Sequence, residues 1–209
     1  MKAMQNLAAT KLPKDMGFAW SGISYQEAKS QGTIGIILMF SLLFVYLFLV
    51  ALYESWTIPI AVLLIAPVAA FGALIFQFIS NQAFDIYSQI GMIMLIGLAT
   101  KQAILIVEFA NELHTKQGLS IEEAAMQAAR LRFRAVVMTV IAFVVGVFPL
   151  LVAHGAGAES RISVGSTVFG GMLAAGALGT LLVPAFYVCV QSVFDKYLKK
   201  KTVKTDEGK

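Results

Sequence analysis

Residues 97–110 read Gly-Leu-Ala-Thr-Lys-Gln-Ala-Ile-Leu-Ile-Val-Glu-Phe-Ala, and this stretch determines the fold class and the first candidate site. It continues an apolar run from Ile86, so a helix over 86–110 is long enough to cross a bilayer with Lys101 inside it. An ionisable group within a membrane span is costly and usually marks an ion or proton pathway. The alternative is that Lys101 extends its side chain to the headgroups, which is called snorkelling.

The composition of the whole chain is that of a membrane protein. Of its 209 residues, 58% are hydrophobic and only 13% are charged. A soluble domain carries roughly 25% charged residues. The composition therefore excludes a soluble globular domain, a disordered tail and a disulfide-stapled secreted module. The single cysteine, Cys189, cannot form an internal disulfide and is interpreted as a small apolar filler.

Runs without charge locate the membrane spans. A spanning helix needs about 20 mostly apolar residues, and the apolar character here is continuous rather than alternating, which favours helices over β-barrel strands. We therefore predict an all-α membrane protein whose membrane region covers 33–195. Its five transmembrane helices are placed at about 33–53, 57–79, 86–110, 135–153 and 162–190.

Basic residues outside the spans predict the orientation, because Lys and Arg concentrate on the cytoplasmic side. They cluster in the 111–134 connection and in a basic tail over 196–209, and two crossings separate these segments. Both are predicted to be cytoplasmic, and residues 1–32 are predicted to be external. The first cluster holds Lys116, Arg130, Arg132 and Arg134, and the tail holds Lys196, Lys199, Lys200, Lys201, Lys204 and Lys209. The tail is interpreted as a topology signal and not as a nucleic-acid contact.

Two further segments lie outside the spans. Ser120 and Glu123 form a capping box that starts a predicted amphipathic helix over 120–134. This helix either lies along the cytoplasmic membrane interface or simply connects two spans. Residues 1–32 lack the apolar core of a signal peptide. We predict a turn and a short strand there, as the last edge of a larger external domain.

The last span carries small residues that predict close helix packing. Gly171, Ala175 and Gly179 are spaced at i, i+4 and i+8, which places them on one face of a continuous helix. Gly170, Ala174 and Gly176 widen that face. Pro67, Pro149 and Pro184 lie within spans and are expected to kink or break them.

Enzyme signatures are absent from the sequence. It has no HExxH, no G-x-S-x-G and no phosphate-binding Walker loop. Neither histidine has a partner at metal-ligand spacing. We therefore expect no enzyme, no metal and no cofactor, and an ion gradient as any source of energy.

Several motifs resemble drug-efflux pumps of the resistance–nodulation–division (RND) superfamily, most closely the hydrophobe/amphiphile branch of Gram-negative bacteria. The stretch over 51–56 with Ile58-Pro59 is similar to the loop after their eighth span, and 97–110 is similar to their tenth span. Further matches follow in family order, at 130–134, Met138-Thr139, Gly155-Ala156-Gly157, Gly170-Gly171-Met172 and 183–187. The likeness covers nearly the whole chain apart from the basic tail.

The resemblance implies a proton-driven drug exporter of the inner membrane, which works as a homotrimer with a periplasmic adaptor and an outer-membrane channel. It also implies that Lys101 faces two aspartates of the fourth span, that Thr139 takes part in the proton relay, and that Arg132 lies on the cytoplasmic proton path. The family often has Asn where this chain has Gln102, and both are amides.

The family has about twelve spans in two repeats, so this chain corresponds to spans eight to twelve, with residues 1–32 as the edge of a porter domain. The aspartates and most of the drug-binding region correspond to the missing N-terminal half. We expect the C-terminal segment of a multidrug/proton antiporter. The alternative is a truncated, transport-inactive product that at most assembles with intact pumps or interferes with them. The initiator Met that opens directly onto a partial external domain favours truncation.

The orientation leads to a first prediction. Cysteines introduced at Gln117 and Lys200 should resist membrane-impermeant thiol reagents in intact cells, because the positive residues around both hold them in the cytoplasm. Both should react once the cells are opened. Labelling of either position in intact cells would reverse the proposed topology.

Overall fold

The computed structural model describes residues 2–13, 16–30 and 34–206, and every regular element in these ranges is a helix. The predicted all-α membrane fold is therefore confirmed. The helices are α1 (Lys2–Lys11), α2 (Gly22–Ser30), α3 (Ile34–Tyr53), α4 (Ile58–Leu63), α5 (Ile65–Ile79), α6 (Ile86–Gln117), α7 (Ile121–Leu151), α8 (Ala158–Ala177) and α9 (Gly179–Asp206).

The chain divides into two compact units, one up to Met39 and one from Phe40 onward. The first contains α1 and α2, and between them Phe18 and Trp20 form an edge-to-face pair with ring centroids 4.7 Å apart. The predicted short strand is wrong, since residues 16–21 have no regular structure. A strand needs a neighbour for its backbone hydrogen bonds, and the described part of this unit contains none. Residues 1, 14, 15, 31 and 32 of the predicted periplasmic segment, and residues 207–209 of the predicted tail, lie outside the described residues.

Four apolar helical stretches are long enough to cross a membrane, and a bent pair of helices makes a fifth crossing if the pair forms one span. The four are Gly35–Tyr53, Ile58–Ile79, Ile86–Gln117 and Ile121–Leu151, and the pair is Ala158–Ala177 with Gly179–Phe194. They overlap the positions of the five predicted spans, and the last of these corresponds to the bent pair. Two helices are longer than predicted. Helix α6 continues past residue 110 to Gln117, and α7 begins at Ile121 instead of residue 135.

The separate amphipathic helix predicted over 120–134 is the first part of α7. Its predicted start is confirmed: the Ser120 side chain accepts from the Glu123 backbone N–H, and the Glu123 carboxylate accepts from the Ser120 N–H. Between Ile121 and Gly146 the sequence contains neither glycine nor proline. Nothing therefore ends the helix at the membrane boundary, and charge patterning alone could not mark a break there.

Two spans are interrupted within the membrane. The break between α4 and α5 falls at Leu64, just before Pro67, whose missing N–H leaves the Leu63 carbonyl without its helical partner. The second break is a bend of 60° between α8 and α9, so the predicted single span over 162–190 is a bent pair. There the Thr180 hydroxyl donates to the Gly176 carbonyl oxygen at 2.5 Å, a side-chain bond that commonly bends helices.

Helix α8 lies at the centre of the packing and contacts α5, α6, α7 and α9. Its closest approach is to α5, where a Cβ on Gly170 would lie 2.2 Å from the Phe76 Cβ, and a Cβ on Gly72 would lie 2.0 Å from the Ala174 Cβ. A Cβ on Gly176 would meet Val140 of α7 at 2.5 Å. No side chain fits at these three positions, so the glycines set the distances between α8 and its neighbours.

The predicted packing residues occupy different contacts. Gly171 faces Leu95 of α6, with 2.1 Å between its would-be Cβ and a Leu95 methyl, and Ala175 is buried in α8. Gly179 lies beyond the bend, at the start of α9, where it faces Ile65. The three residues therefore do not form one continuous helical face, because the bend falls between Ala175 and Gly179.

The glycine contacts lead to a second prediction. Gly170→Ala should destabilise the purified chain by about 2 kcal/mol, because the new methyl group overlaps Phe76 and the Gly72 carbonyl. Gly97→Ala is the matched control, since its Cβ would meet nothing within 4 Å. It should stabilise the chain by up to about 1 kcal/mol, because alanine is the better helix former. Thermal unfolding in detergent measures both, and equal effects would contradict the packing argument.

Candidate functional site

Lys101 lies at the middle of α6, fifteen residues after Ile86 and sixteen before Gln117. It belongs to an exposed stripe along the helix that also contains Ile90 and Met94, whose side chains are 49% and 51% exposed. Residues at intervals of three, four and seven share a helical face. The stripe is apolar on the Ile86 side of Lys101, so a single ammonium group interrupts a hydrophobic surface.

The Lys101 ammonium forms no ion pair with any residue that the structure describes. Glu108 lies seven residues further along and on nearly the same face, but ~10 Å away along the helix axis. It is exposed as well. A charge on an apolar surface without a counter-charge is unfavourable in a membrane. The described part of the chain therefore supplies no counter-charge for the Lys101 ammonium.

Arg132 links α7 to α6. Its guanidinium carbon lies 4.5 Å from the centroid of the Phe109 ring, a cation–π arrangement. The side chain is half-buried, and its Nε atom is buried without a hydrogen-bond partner among the described residues. Because residues 118–120 join the two helices in a tight connection, α6 and α7 run antiparallel, and the Arg132–Phe109 contact fixes their register.

That register places Thr139 close to the depth of Lys101. Lys101 precedes Phe109 by eight residues on α6, or ~12 Å, and Thr139 follows Arg132 by seven residues on α7, or ~10.5 Å. The two therefore lie within about one helical turn of each other in depth. The Thr139 hydroxyl is exposed and donates to the Val136 carbonyl oxygen at 2.8 Å. No hydrogen bond joins Lys101, Arg132 and Thr139 to one another in the described structure.

Gln102 points away from the exposed stripe and is only 6% exposed. Both polar atoms of its amide are buried, and neither has a hydrogen-bond partner among the described residues. Burying an unpaired amide costs on the order of 2 kcal/mol or more. The residue beside Lys101 is therefore a second polar group of α6 that this part of the chain leaves unsatisfied.

Comparison with known proteins decides the family. The model of the AcrB/AcrD/AcrF family matches residues 1–191. The chain belongs to this family. It is 47% identical over 195 residues to the toluene efflux pump membrane transporter TtgB of Pseudomonas putida. These aligned residues make up 93% of this chain and 18% of TtgB. The predicted membership of the RND efflux pumps is confirmed.

Other relatives in the family are similar at nearly the same level. The multidrug resistance protein MdtF of Escherichia coli K12 is 45% identical over 199 residues, which is 95% of this chain and 19% of MdtF. The multidrug export protein AcrF of the same strain is 43% identical over 194 residues, 93% of this chain and 19% of AcrF. The chain thus spans about a fifth of the length of these relatives. It corresponds to a multi-pass membrane region of these relatives.

The sequence analysis did not identify a buried polar cluster that lies between α5, α6 and α8. The Gln77 amide donates to the Thr167 hydroxyl at 2.7 Å, and the Ser88 and Ser163 hydroxyls are 2.8 Å apart. The Asp85 carboxylate accepts from the Ser88 backbone N–H at 2.8 Å and also from the Ser163 hydroxyl. Asp85 three residues before Ser88 is a helix-capping signal, but the partners on α8 come from the packing alone.

No group of three or more His, Cys, Asp or Glu side chains within the described ranges is arranged to hold a metal ion. The polar groups of Lys101, Gln102, Arg132 and Thr139 are an ammonium group, an amide, a guanidinium group and a hydroxyl. Such groups can attract a carboxylate and exchange hydrogen bonds with it.

The buried cluster leads to a third prediction. Thr167→Val should destabilise the chain by about 1–2 kcal/mol, because it leaves the buried Gln77 amide without its acceptor. Gln77→Leu should cost less, since the Thr167 hydroxyl still donates to the Ser163 carbonyl oxygen. The double variant should be more stable than Thr167→Val alone.

Thermal unfolding of the two single variants and the double variant measures the coupling, and Thr115→Val, at an exposed position of α6, is the control for loss of a threonine hydroxyl. Strictly additive effects of Gln77→Leu and Thr167→Val would show that the two side chains do not stabilise one another.

Proposed function

We propose that this chain is the C-terminal part, spans eight to twelve, of a proton-driven multidrug efflux transporter that exchanges drugs for protons across the inner membrane. The observation that supports this most strongly is Lys101: an ammonium group in the middle of α6, on an exposed and otherwise apolar stripe, without a counter-charge among the described residues. Such a group requires carboxylates from other helices. By resemblance, two aspartates of the fourth span provide them.

The proposed coupling follows from elementary electrostatics. Ionised carboxylates next to Lys101 attract the ammonium group, and protonation of one carboxylate removes that attraction. Lys101 then moves, and the helices that pack against its stripe change position. Protonation thereby shifts the equilibrium between two positions of Lys101 and the neighbouring helices, as a molecular switch requires.

Arg132 and Thr139 have supporting roles in this proposal. Thr139 lies near the depth of Lys101, and its exposed hydroxyl can exchange its bond to the Val136 carbonyl for one to an incoming carboxylate. Arg132 lies ~10.5 Å further along α7, at the arginine-rich end that we assign to the cytoplasm. Its unpartnered Nε suits a gate for protons that leave on that side.

The remaining partners are proposed by resemblance. They are the N-terminal part of the pump with its porter domains, two further protomers of a homotrimer, a periplasmic adaptor and an outer-membrane channel, all in or next to the inner membrane. Residues 1–32 would be the edge of a porter domain and 196–209 a cytoplasmic tail. The proton gradient is the proposed energy source, without a cofactor. The names of the relatives refer to toluene and to multiple drugs, and we propose apolar or amphiphilic small molecules as substrates.

The alternative proposal is a transport-inactive product that at most assembles with intact pumps or interferes with them. The uncompensated charge of Lys101 is compatible with it, since the described chain alone has no carboxylate at the Lys101 ammonium. Neither proposal expects the chain to transport drugs on its own. Transport by the isolated chain would therefore contradict both of them.

The relay leads to a fourth prediction. In a full-length pump that contains this sequence, Lys101→Ala should lower proton-coupled drug export by about 100-fold or more, because the relay loses its only ammonium group. Lys101→Arg should also be impaired, since a guanidinium differs in size and donor geometry. Thr139→Ala should have a smaller effect. Drug survival and proton-coupled transport at matched expression measure these changes.

Lys116→Ala is the matched control, because Lys116 is a surface lysine of the same helix whose ion pair with Glu112 is exposed. It should transport normally. Wild-type transport by Lys101→Ala would make Lys101 a snorkelling anchor. The present chain in liposomes should export nothing, and proton-dependent export by it alone would contradict a relay shared between two halves.

A further inference from the structure

The side of α7 that faces away from α6 carries an elongated apolar depression. An open depression of about 510 Å³ lies on the surface of α7 and is lined by Phe133, Arg134, Val137, Met138, Ile141 and Ala142. A second cavity, of about 300 Å³, lies between α7 and α9 and is lined by Ala129, Arg130, Phe133, Thr180 and Leu181. Phe133 lines both, and we refer to the two cavities together as the arginine groove.

Two arginines mark one end of the apolar part of this groove. Arg130 and Arg134 are four residues apart on α7, so they are neighbours on the helix surface. Both are exposed, and neither forms an ion pair or a hydrogen bond with a described residue. Arg132, between them in sequence, points instead to Phe109. Two like charges at this spacing repel each other, and an anion between them would remove that repulsion.

The dimensions of the groove match one leaflet of a bilayer. From Arg134 to Ala142 is eight residues, or ~12 Å along the helix axis, and one leaflet contributes ~15 Å of hydrocarbon. The α7 sequence after Arg134 has no charge up to Leu151. The arginines therefore lie where the headgroups begin, and the cavity beyond them runs into the hydrocarbon.

The charges around the groove favour an anionic lipid whose phosphate lies at the arginine end. A third cavity continues along α7 and α9 away from the membrane interior and ends at Glu122, whose carboxylate repels a phosphate. The α9 wall of the groove leads into the tail, which carries Lys196, Lys199, Lys200, Lys201 and Lys204. Clusters of basic residues next to a span attract anionic lipids.

We propose that the arginine groove binds one anionic phospholipid of the leaflet on the Arg130 side. Its phosphate is bound by Arg130 and Arg134 through charge-assisted hydrogen bonds. One acyl chain lies along Val137, Met138 and Ile141. Because the site faces away from the α6 surface that carries Lys101, it is separate from the proton relay and does not depend on it.

The test uses the purified chain in detergent with phosphatidylglycerol as the anionic probe and phosphatidylcholine as the neutral one. Native mass spectrometry counts the bound lipids and gives their apparent affinities. We expect one phosphatidylglycerol to bind the chain more tightly than phosphatidylcholine. The double variant Arg130→Gln/Arg134→Gln should weaken this binding by about tenfold or more.

Two further variants separate a groove from general attraction to a basic surface. Lys116→Gln/Lys200→Gln removes the same net charge on the side that we assign to the cytoplasm, and it should leave the affinity within about twofold, because it leaves both arginines of the groove in place. Ala142→Trp keeps both arginines but fills the cavity for the acyl chain, and it should lower the affinity and exclude a photoactivatable acyl chain from Met138 and Ile141.

Equal binding of the neutral and anionic lipids would overturn the proposal, as would equal losses in the two charge variants. Unchanged binding in Ala142→Trp would also overturn it, because the lipid would then be held by surface charge alone and not by the groove. In an assembled full-length pump, cross-links from the groove to protein instead of lipid would show that another helix occupies it, which would also overturn the proposal.

Discussion

The close approach of α8 to α5 is the packing contact on which the arrangement of the other helices depends. Gly72, Gly170 and Ala174 bring the two backbones so near that a single added methyl group would overlap a neighbour. The hydrophobic effect cannot hold apolar helices together inside a bilayer, so backbone proximity and interhelical hydrogen bonds provide the attraction. The bond from Gln77 to Thr167 lies at this same helix pair.

Helices α6 and α7 pack against α8, and these contacts determine which faces of α6 and α7 point outward. Gly171 accepts Leu95 of α6, and Gly176 accepts Val140 of α7. The buried sides of both helices therefore face α8, while Lys101 and Thr139 are exposed at similar depth. The unpaired ammonium group and the unpaired Gln102 amide are consequences of this arrangement of the described helices.

The two exposed polar surfaces of the membrane region differ in chemistry and in direction. The α6 stripe presents one ammonium group within an apolar surface, which suits a carboxylate from another helix. The arginine groove on α7 presents two guanidinium groups at the border of an apolar cavity, which suits a lipid phosphate. Arg132 separates the two, because it turns inward to Phe109 while Arg130 and Arg134 remain exposed.

The sequence by itself determined the fold class, the positions of the apolar helices, the Ser120 capping box and the family, because these depend on local composition and on motifs of a few residues. It also identified Lys101, since an ionisable group in an apolar run is visible without any structure. The length of α7, the bend at Leu178 and the partners of Gln77 and Asp85 were decided only by the tertiary structure. Charge patterning marks where a membrane ends but not where a helix ends. The depth shared by Lys101 and Thr139 follows from the contact between Arg132 and Phe109, which joins residues 23 positions apart and appears only when the two helices are packed.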